Sequence, residues 1–146
     1  MTTPSTTTST SPKQSLQRAF AALATGDSRP FLDLMADDFC WAIAGHSAWS
    51  GRWEGKQAVR ERLFAPLFAR FADTYTNEAQ RFVAEGDVVV VECRGRVTTK
   101  SGRLYNNHYC YVCRFDGGLL RELTEYMDTD HALDVLGPPE AIGASA

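Results

Sequence analysis

The sequence predicts an α+β protein with helices in its first half and a curved antiparallel sheet in its second half. In the first half, apolar residues recur three or four positions apart, as at Leu16, Phe20 and Leu23, which is the spacing of a helix face. In the second half, alternating runs are joined by short connections that contain glycine, as β-hairpins require. The 146 residues are enough for one domain with a substantial core.

Three helices are predicted ahead of the sheet. Gly26 is placed to end the first helix, and the second begins with Ser28 as its cap and a proline in its first turn. Asp37-Asp38 is expected to end the second helix, and the run Phe39–Gly45 then predicts a strand.

A loop with two tryptophans, His46–Lys56, precedes the third helix. In this helix apolar residues recur every four positions from Val59 to Phe71, and Pro66 lies among them. Because proline removes one backbone hydrogen bond and its ring collides with the preceding turn, a kink is predicted there.

The strands of the second half differ in how clearly apolar and polar residues are divided between their two faces. They are predicted over Thr74–Ala84, Val88–Thr99, Arg103–Phe115 and Leu119–Asp128. In the second of them the odd-numbered Val89, Val91 and Cys93 are apolar or small, so the odd-numbered face is expected inside. In the last two strands both faces are mixed, and apolar residues on the outer sheet face predict a homodimer interface. This outward set is Cys110, Val112, Leu120 and Tyr126.

Composition narrows the class of protein. The chain is 44% hydrophobic and 23% charged, as is typical of a globular protein, and a domain is expected over residues 15–136. Residues 1–14 are rich in Thr, Ser and Pro and predict a flexible tail, and residues 137–146 predict another. A net charge of −3 without a basic run disfavours nucleic acid and membrane partners. Without a signal-peptide pattern or a membrane-spanning run, a cytoplasmic location is the default expectation.

A single carboxylate is prominent in the last predicted strand. Because alternate residues of a strand face opposite sides, Leu123, Glu125 and Met127 share one face. The neighbouring strand offers Tyr109 and Tyr111 on its own odd-numbered face. A lone acid among large apolar groups and phenol donors indicates a lined pocket, where burial would raise the pKa of the carboxyl. Glu125 is therefore the candidate general base.

Alternatives stay open for these residues. Glu125 could instead pair with an arginine such as Arg121 or Arg96, with little consequence for chemistry. The Tyr109 and Tyr111 hydroxyls and the Asn107 amide could donate hydrogen bonds to a carbonyl or enolate oxygen. The tyrosines could equally fill the core with their hydroxyls satisfied.

Other residues are expected to line or close the pocket. His46 lies in the loop at the end of a strand and could act as an acid–base partner, or it could simply be exposed. The tryptophans could line the pocket or cover it. The predicted substrate-binding set is Trp41, Ile43, His46, Trp53, Cys93, Asn107, Leu123 and Met127.

The cysteines and histidines do not form a metal or redox motif. Cys110 and Cys113 match a C-x-x-C pattern, but residues three apart on a strand point to opposite faces. Redox and zinc pairs normally lie at a helix N-terminus or on a turn. The three histidines are scattered, so no metal and no cofactor are expected.

Three segments resemble the SnoaL-like, NTF2-like superfamily, which holds ketosteroid isomerases, limonene epoxide hydrolases and polyketide cyclases. They are FAALATGDSRPFLDLMADDFCWAIAG, WSGRWEGKQAVRERLFAPL and YNNHYCYVCRFDGGLLRELTEYMD. The chain looks closest to ketosteroid isomerase-related members whose last strand reads E-Y-x-D. Over Ser15 to Leu136 the resemblance implies an NTF2-like (cystatin-like) cone of curved antiparallel or mixed sheet, packed by three N-terminal helices. It also implies an internal pocket and dimerisation through the sheet.

The resemblance carries over unevenly to the site residues. Epoxide hydrolases of the superfamily use an Asp on the last strand, where this chain has Glu125. Their Arg and second Asp correspond to Cys93 and Gly95, and their water-holding Tyr and Asn fall near Trp41 and Ile43. Most of the water-activating set is therefore missing. Steroid isomerases use an acid on the first strand, which this chain lacks, whereas cyclases with one pocket acid match it best.

These observations predict a cofactor-independent isomerase or polyketide cyclase-like enzyme that acts on an apolar carbonyl compound by proton transfer. Glu125 would move the proton, and Tyr109, Tyr111 or Asn107 would hold the oxygen. The first alternative is a non-catalytic module that binds a small ligand or a partner, since one fold serves many functions. A weaker alternative is a hydrolase related to the epoxide hydrolases.

Overall fold

The structure, a computed structural model, describes residues 10–139, and its first helix, α1 (Pro12–Leu23), begins in a capping box. The Ser11 hydroxyl accepts a hydrogen bond from the Gln14 backbone N–H, and the Gln14 side chain accepts one from the Ser11 N–H. Two N–H groups that a helix start would leave unpaired are satisfied in this way. The helix therefore starts inside the tail predicted over residues 1–14; residues 1–9 lie outside the described range.

Helix α2 (Arg29–Leu34) leads directly into strand β1 (Met35–Ile43). The prediction that Asp37-Asp38 separates helix from strand is wrong, because both residues belong to β1 and are exposed. The register between β1 and the neighbouring strand β6 shifts between Met35 and Cys40, so the bulge of β1 includes Asp37 and Asp38. A bulge leaves residues unpaired and turns them outward, which keeps the two carboxylates in solvent.

The cap expected at the start of α2 also differs. The Ser28 side chain makes no capping hydrogen bond. Asp27 supplies it instead, since its Oδ1 accepts from the Arg29 backbone N–H at 3.1 Å. The proline predicted for the first turn is in place.

The third helix, α3, spans residues 56–68 and changes its geometry along its length. It is α-helical over Lys56–Ala58, π-helical over Val59–Phe64 and α-helical again over Ala65–Phe68. The π-helical segment ends two residues before Pro66, whose ring removes a regular helical hydrogen bond, and the predicted kink stays a prediction. Val59 and Leu63 face the core, whereas Phe71 lies beyond the end of the helix.

The sheet has six strands in the order β2-β1-β6-β5-β4-β3. The predicted hairpin meander is confirmed, because β3, β4, β5 and β6 pair antiparallel in sequence. Two features were not predicted: β1 pairs parallel with β6, and β2 lies inside the stretch predicted as a loop, pairing antiparallel with β1. The remaining strands are β2 (Gly51–Glu54), β3 (Thr76–Glu85), β4 (Val88–Arg96), β5 (Asn107–Asp116) and β6 (Leu119–Met127).

A bulge in β6 corrects the predicted outward set. Phe115 pairs with Leu120 whereas Arg114 pairs with Glu122, so Arg121 is one extra residue in β6. The extra residue reverses the face parity, and Leu120 is fully buried although the sequence predicts it outward. Cys110 and Val112 are half-buried and Tyr126 is 51% exposed. A homodimer through this face stays a prediction.

The last helix within residues 10–139, α4 (Thr129–Leu136), was not indicated by the sequence pattern. Asp128 caps it, since its side chain accepts from the His131 N–H at 3.0 Å. Arg70 ties its end to α3 through hydrogen bonds to Leu136 O at 2.9 Å and Pro66 O at 2.8 Å. Of the tail predicted over 137–146, residues 140–146 lie outside the described range.

The core lies between the inner sheet face and the helices. The odd-numbered residues of β4 and β5 face it and are buried from Val89 to Cys93 and from Asn107 to Phe115. Helix α1 packs on β3 and β4, and α2 and α3 pack on β1. Among the described helices none has the length and apolarity needed to cross a membrane.

Gly95 occupies a position on the inner face where no side chain would fit. A Cβ built there would lie 2.6 Å from the Tyr75 hydroxyl oxygen and 2.9 Å from the Tyr109 ring. Both distances are well inside van der Waals contact, so the two tyrosines can lean over β4 only because residue 95 is glycine.

We predict that Gly95→Ala lowers the free energy of unfolding by about 1–3 kcal/mol, the usual cost of overpacking a core. Adding Tyr75→Phe removes the oxygen nearest the new methyl group and should recover part of the loss. Urea unfolding of the single and double variants measures this. If the two substitutions simply add, the close approach at Gly95 is not the cause of the loss.

Candidate active site

A cavity of about 320 Å3 lies between the inner sheet face and the helices. Its volume falls at the lower end of the range of small-molecule pockets, roughly 300–1,000 Å3. Aromatic and aliphatic side chains make up most of its wall, and the remaining lining residues carry polar groups. They are Ser28, Asp73, Thr74, Tyr75, Asn77, Tyr105, Tyr109, Tyr111 and Glu125.

Glu125 lies on β6 in the wall of this cavity and is 6% exposed. Tyr111 stands directly opposite it on β5, and Ile43 is its partner on β1. The Trp41 indole Nε1–H donates a hydrogen bond to Glu125 Oε1 at 2.9 Å. Trp41 reaches the carboxylate because it is two residues from Ile43 on the same face of β1.

The interpretation of Glu125 as an ion-pair partner is not supported. Within residues 10–139, no lysine, arginine or histidine forms a salt bridge with Glu125. Arg121, the candidate partner, belongs to the β6 bulge and donates to Asp38 Oδ1 at 2.7 Å instead. The bulge therefore directs the arginine towards the bulge of β1, away from the cavity.

Burial raises the pKa of Glu125 from 4.5 to about 7, and the hydrogen bond from Trp41 opposes part of the rise. The cause is the loss of water around the charged form, which the apolar wall does not replace. The carboxyl is thus divided between its acid and base forms near neutral pH. A group in that condition can both accept and return a proton.

Aromatic rings surround the carboxylate on its helix side. The Trp41 ring packs edge-on against Phe64 at 5.3 Å and against Tyr111 at 5.5 Å between centroids. Phe31 of α2 lies 6.3 Å from the same indole. These rings cover the carboxylate on this side and fix the indole that holds it.

A cluster of phenol groups, Tyr75, Tyr105 and Tyr109, lines another part of the wall. The Asn77 Nδ2 donates to the Tyr75 hydroxyl at 3.1 Å, and the Asn107 Nδ2 donates to the Tyr105 hydroxyl at 3.0 Å. Tyr109 lies beside Tyr75 over Gly95, since a Cβ built at Gly95 would meet both of these side chains. We call these three residues the phenol cluster.

Burial raises the pKa of each tyrosine in the phenol cluster and of Tyr111. The negative charge of Glu125 adds to the rise in all four, so the phenols and the carboxylate act on the same space. Phenols with raised pKa values keep their protons at neutral and alkaline pH. They are therefore hydrogen-bond donors for an oxygen in the cavity.

The cavity reaches the surface between the α1–α2 turn and the end of α3. The wall residues that are exposed are Ser28, Phe68, Asp73 and Thr74, which mark this mouth. On another side α4 contributes Ala132 and Leu136 to the wall.

The position of α4 is fixed by two residues outside the helix. The Trp49 indole Nε1–H donates to Gly137 O at 2.8 Å, and the Arg70 guanidinium lies 4.9 Å over the Trp49 ring. The α4 side of the cavity is therefore held shut by hydrogen bonds and a cation–π contact.

The structure places some of the predicted site residues together and separates others. All three predicted catalytic residues, Glu125, Tyr109 and Tyr111, line the cavity, as do Trp41, Ile43 and Met127 of the predicted binding set. The other five predicted binding residues do not line it: His46, Trp53, Cys93, Asn107 and Leu123.

Each of these five side chains lies outside the cavity wall for a physical reason. His46 is exposed in the loop after β1, and Trp53 is half-buried in β2, where it packs against the core. Cys93 and Leu123 have the expected inward parity but are covered by neighbouring side chains. Asn107 is buried behind the wall, where its Nδ2 donates to the Tyr105 hydroxyl, to Met127 Sδ at 3.7 Å and to Asp128 O at 3.1 Å.

Sequence reasoning missed several residues of the cavity wall. Tyr75 and Asn77 precede and begin β3, and parity alone could have placed both on one face. Tyr105 lies outside a regular strand and so had no periodic signal, whereas Trp49, one of the tryptophans expected to line or cover the pocket, does line it. Phe64 and Phe68 extend the aromatic wall along α3.

The two cysteines of β5, Cys110 and Cys113, are free thiols on opposite faces of the strand, as their spacing predicts. Cys113 is buried and Cys110 is half-buried. In the part of the chain that the structure describes, no three His, Cys, Asp or Glu side chains are grouped so as to hold a metal ion.

Solved structures share this architecture. An NTF2-like protein of unknown function from Burkholderia pseudomallei is 20% identical over 86% of this chain and 96% of its own, with a TM-score of 0.73. A protein from Jannaschia, provisionally assigned as a SnoaL-like polyketide cyclase, is 16% identical over 86% and 91%, with a TM-score of 0.69. TerC, co-crystallised with polyporic acid, is 18% identical over 86% and 98%, with a TM-score of 0.72. These likenesses confirm the predicted NTF2-like fold.

No curated protein matches the sequence. The family model of the SnoaL-like domain matches residues 16–123, which begin in α1 and end in β6. This match covers most of the chain and confirms the resemblance of its three segments: the protein belongs to the SnoaL-like domain family.

Proposed function

We propose that this chain is a small cofactor-independent enzyme that transfers a proton within an apolar carbonyl compound, as isomerases and polyketide cyclases do. The observation that carries the proposal is the Glu125 carboxyl. It is buried in an aromatic cavity, has a pKa of about 7, and faces the same space as the neutral phenols. The solved structures with this fold that are named as a cyclase or hold polyporic acid support a small organic ligand.

The first step is removal of a proton from the carbon next to the carbonyl. The Glu125 carboxylate takes the proton, the C–H bond breaks, and its electron pair moves to form an enolate. Tyr111, directly opposite Glu125 on β5, is placed to donate a hydrogen bond to the oxygen as its charge develops. Because a raised pKa brings the base closer to the carbon acid, burial makes this transfer easier than it would be for an exposed glutamate.

The second step determines the product. In an isomerisation the protonated Glu125 returns its proton to a different carbon, and no atom is gained or lost. In a cyclisation the enolate carbon attacks a second carbonyl, a C–C bond forms, and the new alkoxide takes the proton from Glu125. Both reactions need one acid–base residue, which matches the single carboxylate at this end of the cavity.

A non-catalytic binding module is the second candidate. The observation that favours it is the wall itself, which contains no arginine, lysine or histidine among the described residues. A water-using hydrolase is supported least, since Cys93 and Gly95 lie where related hydrolases carry an arginine and a second acid. The catalytic and binding candidates differ in one measurable property, which is proton exchange at carbon.

We predict that the protein catalyses exchange of deuterium from D2O into the α-carbons of 2-tetralone, an apolar ketone of suitable size. Glu125→Gln should lower the exchange rate about 10²-fold or more, because the general base is lost. Proton NMR follows the exchange directly. Glu122→Gln is the matched control, since Glu122 is on the same strand but faces away from the cavity. Equal exchange by wild type and Glu125→Gln would refute the assignment of the base.

We predict that kcat/KM for this exchange rises with pH through about 7, as Glu125 loses its proton, and then stays level while the phenols remain protonated. Trp41→Phe removes the hydrogen bond that favours the charged carboxylate, so the midpoint should move to higher pH. The pH profiles of the two proteins measure this shift. A midpoint that stays in place or moves to lower pH would show that Trp41 does not control the base.

A further inference from the structure

Two tyrosine hydroxyls in the cavity wall, those of Tyr109 and Tyr111, make no hydrogen bond within residues 10–139. The hydrogen-bonded tyrosine hydroxyls in this range belong to Tyr75 and Tyr105. Neither of the two unpaired oxygens is fully covered, because neither belongs to the covered polar atoms that lack a partner. Both tyrosines are buried and line the cavity, so the uncovered surface of each oxygen faces the cavity. A molecule in the cavity can therefore touch both hydroxyls.

Both hydroxyls are hydrogen-bond donors at neutral pH. Burial raises the pKa of Tyr109 and of Tyr111 well above the usual value, so each phenol keeps its proton. The position of the donor does not depend on the orientation of the ring, since a half-turn of a phenol ring leaves its oxygen in place. A buried donor gives up its hydrogen bond to water, and an acceptor atom of a ligand restores it. The two donors therefore indicate a ligand with acceptor oxygens.

The two donors lie in different rows of the sheet. Across β5 and β6, Tyr111 pairs with Glu125, whereas Tyr109 pairs with Met127. The rows are two residues apart, which is about 7 Å along the strand. Tyr109 lies beside Tyr75 of the phenol cluster, and its ring centroid is 5.5 Å from that of Tyr111. One small molecule can therefore contact both hydroxyls, with its reacting end at Glu125 and its other end at the phenol cluster.

We propose that Tyr109 is a specificity residue whose hydroxyl donates a hydrogen bond to a second oxygen of the substrate. Tyr111 then serves the carbonyl group that reacts beside Glu125, and this part alone rests on the proposed function. The substrate class is an apolar carbonyl compound with a second, uncharged acceptor oxygen, such as that of another carbonyl group. A carboxylate is disfavoured at the second position, because the described wall contains no lysine, arginine or histidine to compensate its charge.

The test uses binding alone and so does not depend on turnover. Two apolar probes of nearly equal size, trans-decalin-2,6-dione and trans-2-decalone, differ in one carbonyl group, and isothermal titration calorimetry measures their Kd values. Tyr109→Phe should weaken binding of the dione about tenfold relative to the monoketone, because the second carbonyl group loses its donor. Tyr126→Phe is the matched control and should leave the ratio of the two Kd values within about twofold of wild type. It removes the same hydroxyl group from an exposed tyrosine on the outer face of β6.

A ratio unchanged in Tyr109→Phe, or no binding of the dione to the wild-type protein, would overturn the proposal. Equal weakening of both probes would also overturn it, because Tyr109 would then serve the same oxygen as Tyr111. In crystals of the wild-type protein soaked with the dione, one oxygen should lie within hydrogen-bond distance of each of these hydroxyls, and water alone at Tyr109 would contradict the proposal. The exchange activity on 2-tetralone, which has one oxygen, tests the proposed function separately.

Discussion

The structure depends on one constraint, which is that the Glu125 carboxyl lies inside an aromatic cavity where Trp41 is the one hydrogen-bond donor to it among the described residues. Burial raises the pKa of Glu125 to about 7, so the neutral form is favoured in the folded protein more than in the unfolded chain. The protonated Glu125 therefore contributes fully to the free energy of unfolding below about pH 4.5. This contribution, about 3 kcal/mol, is lost as the pH rises through about 7. The fold thus gives up stability at neutral pH to keep a base in an apolar site.

Two bulges make this site possible. The extra residue Arg121 in β6 turns one arginine towards Asp38, on the bulge of β1, and Glu125 has no cationic partner within residues 10–139. An arginine beside the carboxylate would favour its charged form and lower the pKa again. Gly95 has a related role at the other end, because only a glycine lets Tyr75 and Tyr109 lean over β4 and complete the phenol cluster. The positions that shape the cavity are therefore partly outside its wall.

Parity and turn chemistry predicted the central part of the fold. Alternation in β4 and β5 correctly placed Val91, Tyr109 and Tyr111 inside, and it put Glu125 on the inner face of β6. Parity failed for Leu120, since one inserted residue reverses the two faces and no local signal announces it. The parallel pairing of β1 with β6 joins distant parts of the chain, and the contact of Trp41 with Glu125 depends on that pairing. Such features depend on non-local contacts, which periodicity does not encode.

The most direct test of this account is a titration of the Glu125 carboxyl itself. Carbon-13 NMR of protein labelled at the glutamate side-chain carboxyl carbons gives one titration curve for each glutamate, and the signal missing from Glu125→Gln assigns the residue. The account predicts a midpoint near pH 7 for Glu125. A midpoint near 4.5 would contradict it, because the carboxyl would then be hydrated or paired in solution and would not be the buried base on which the proposed chemistry depends.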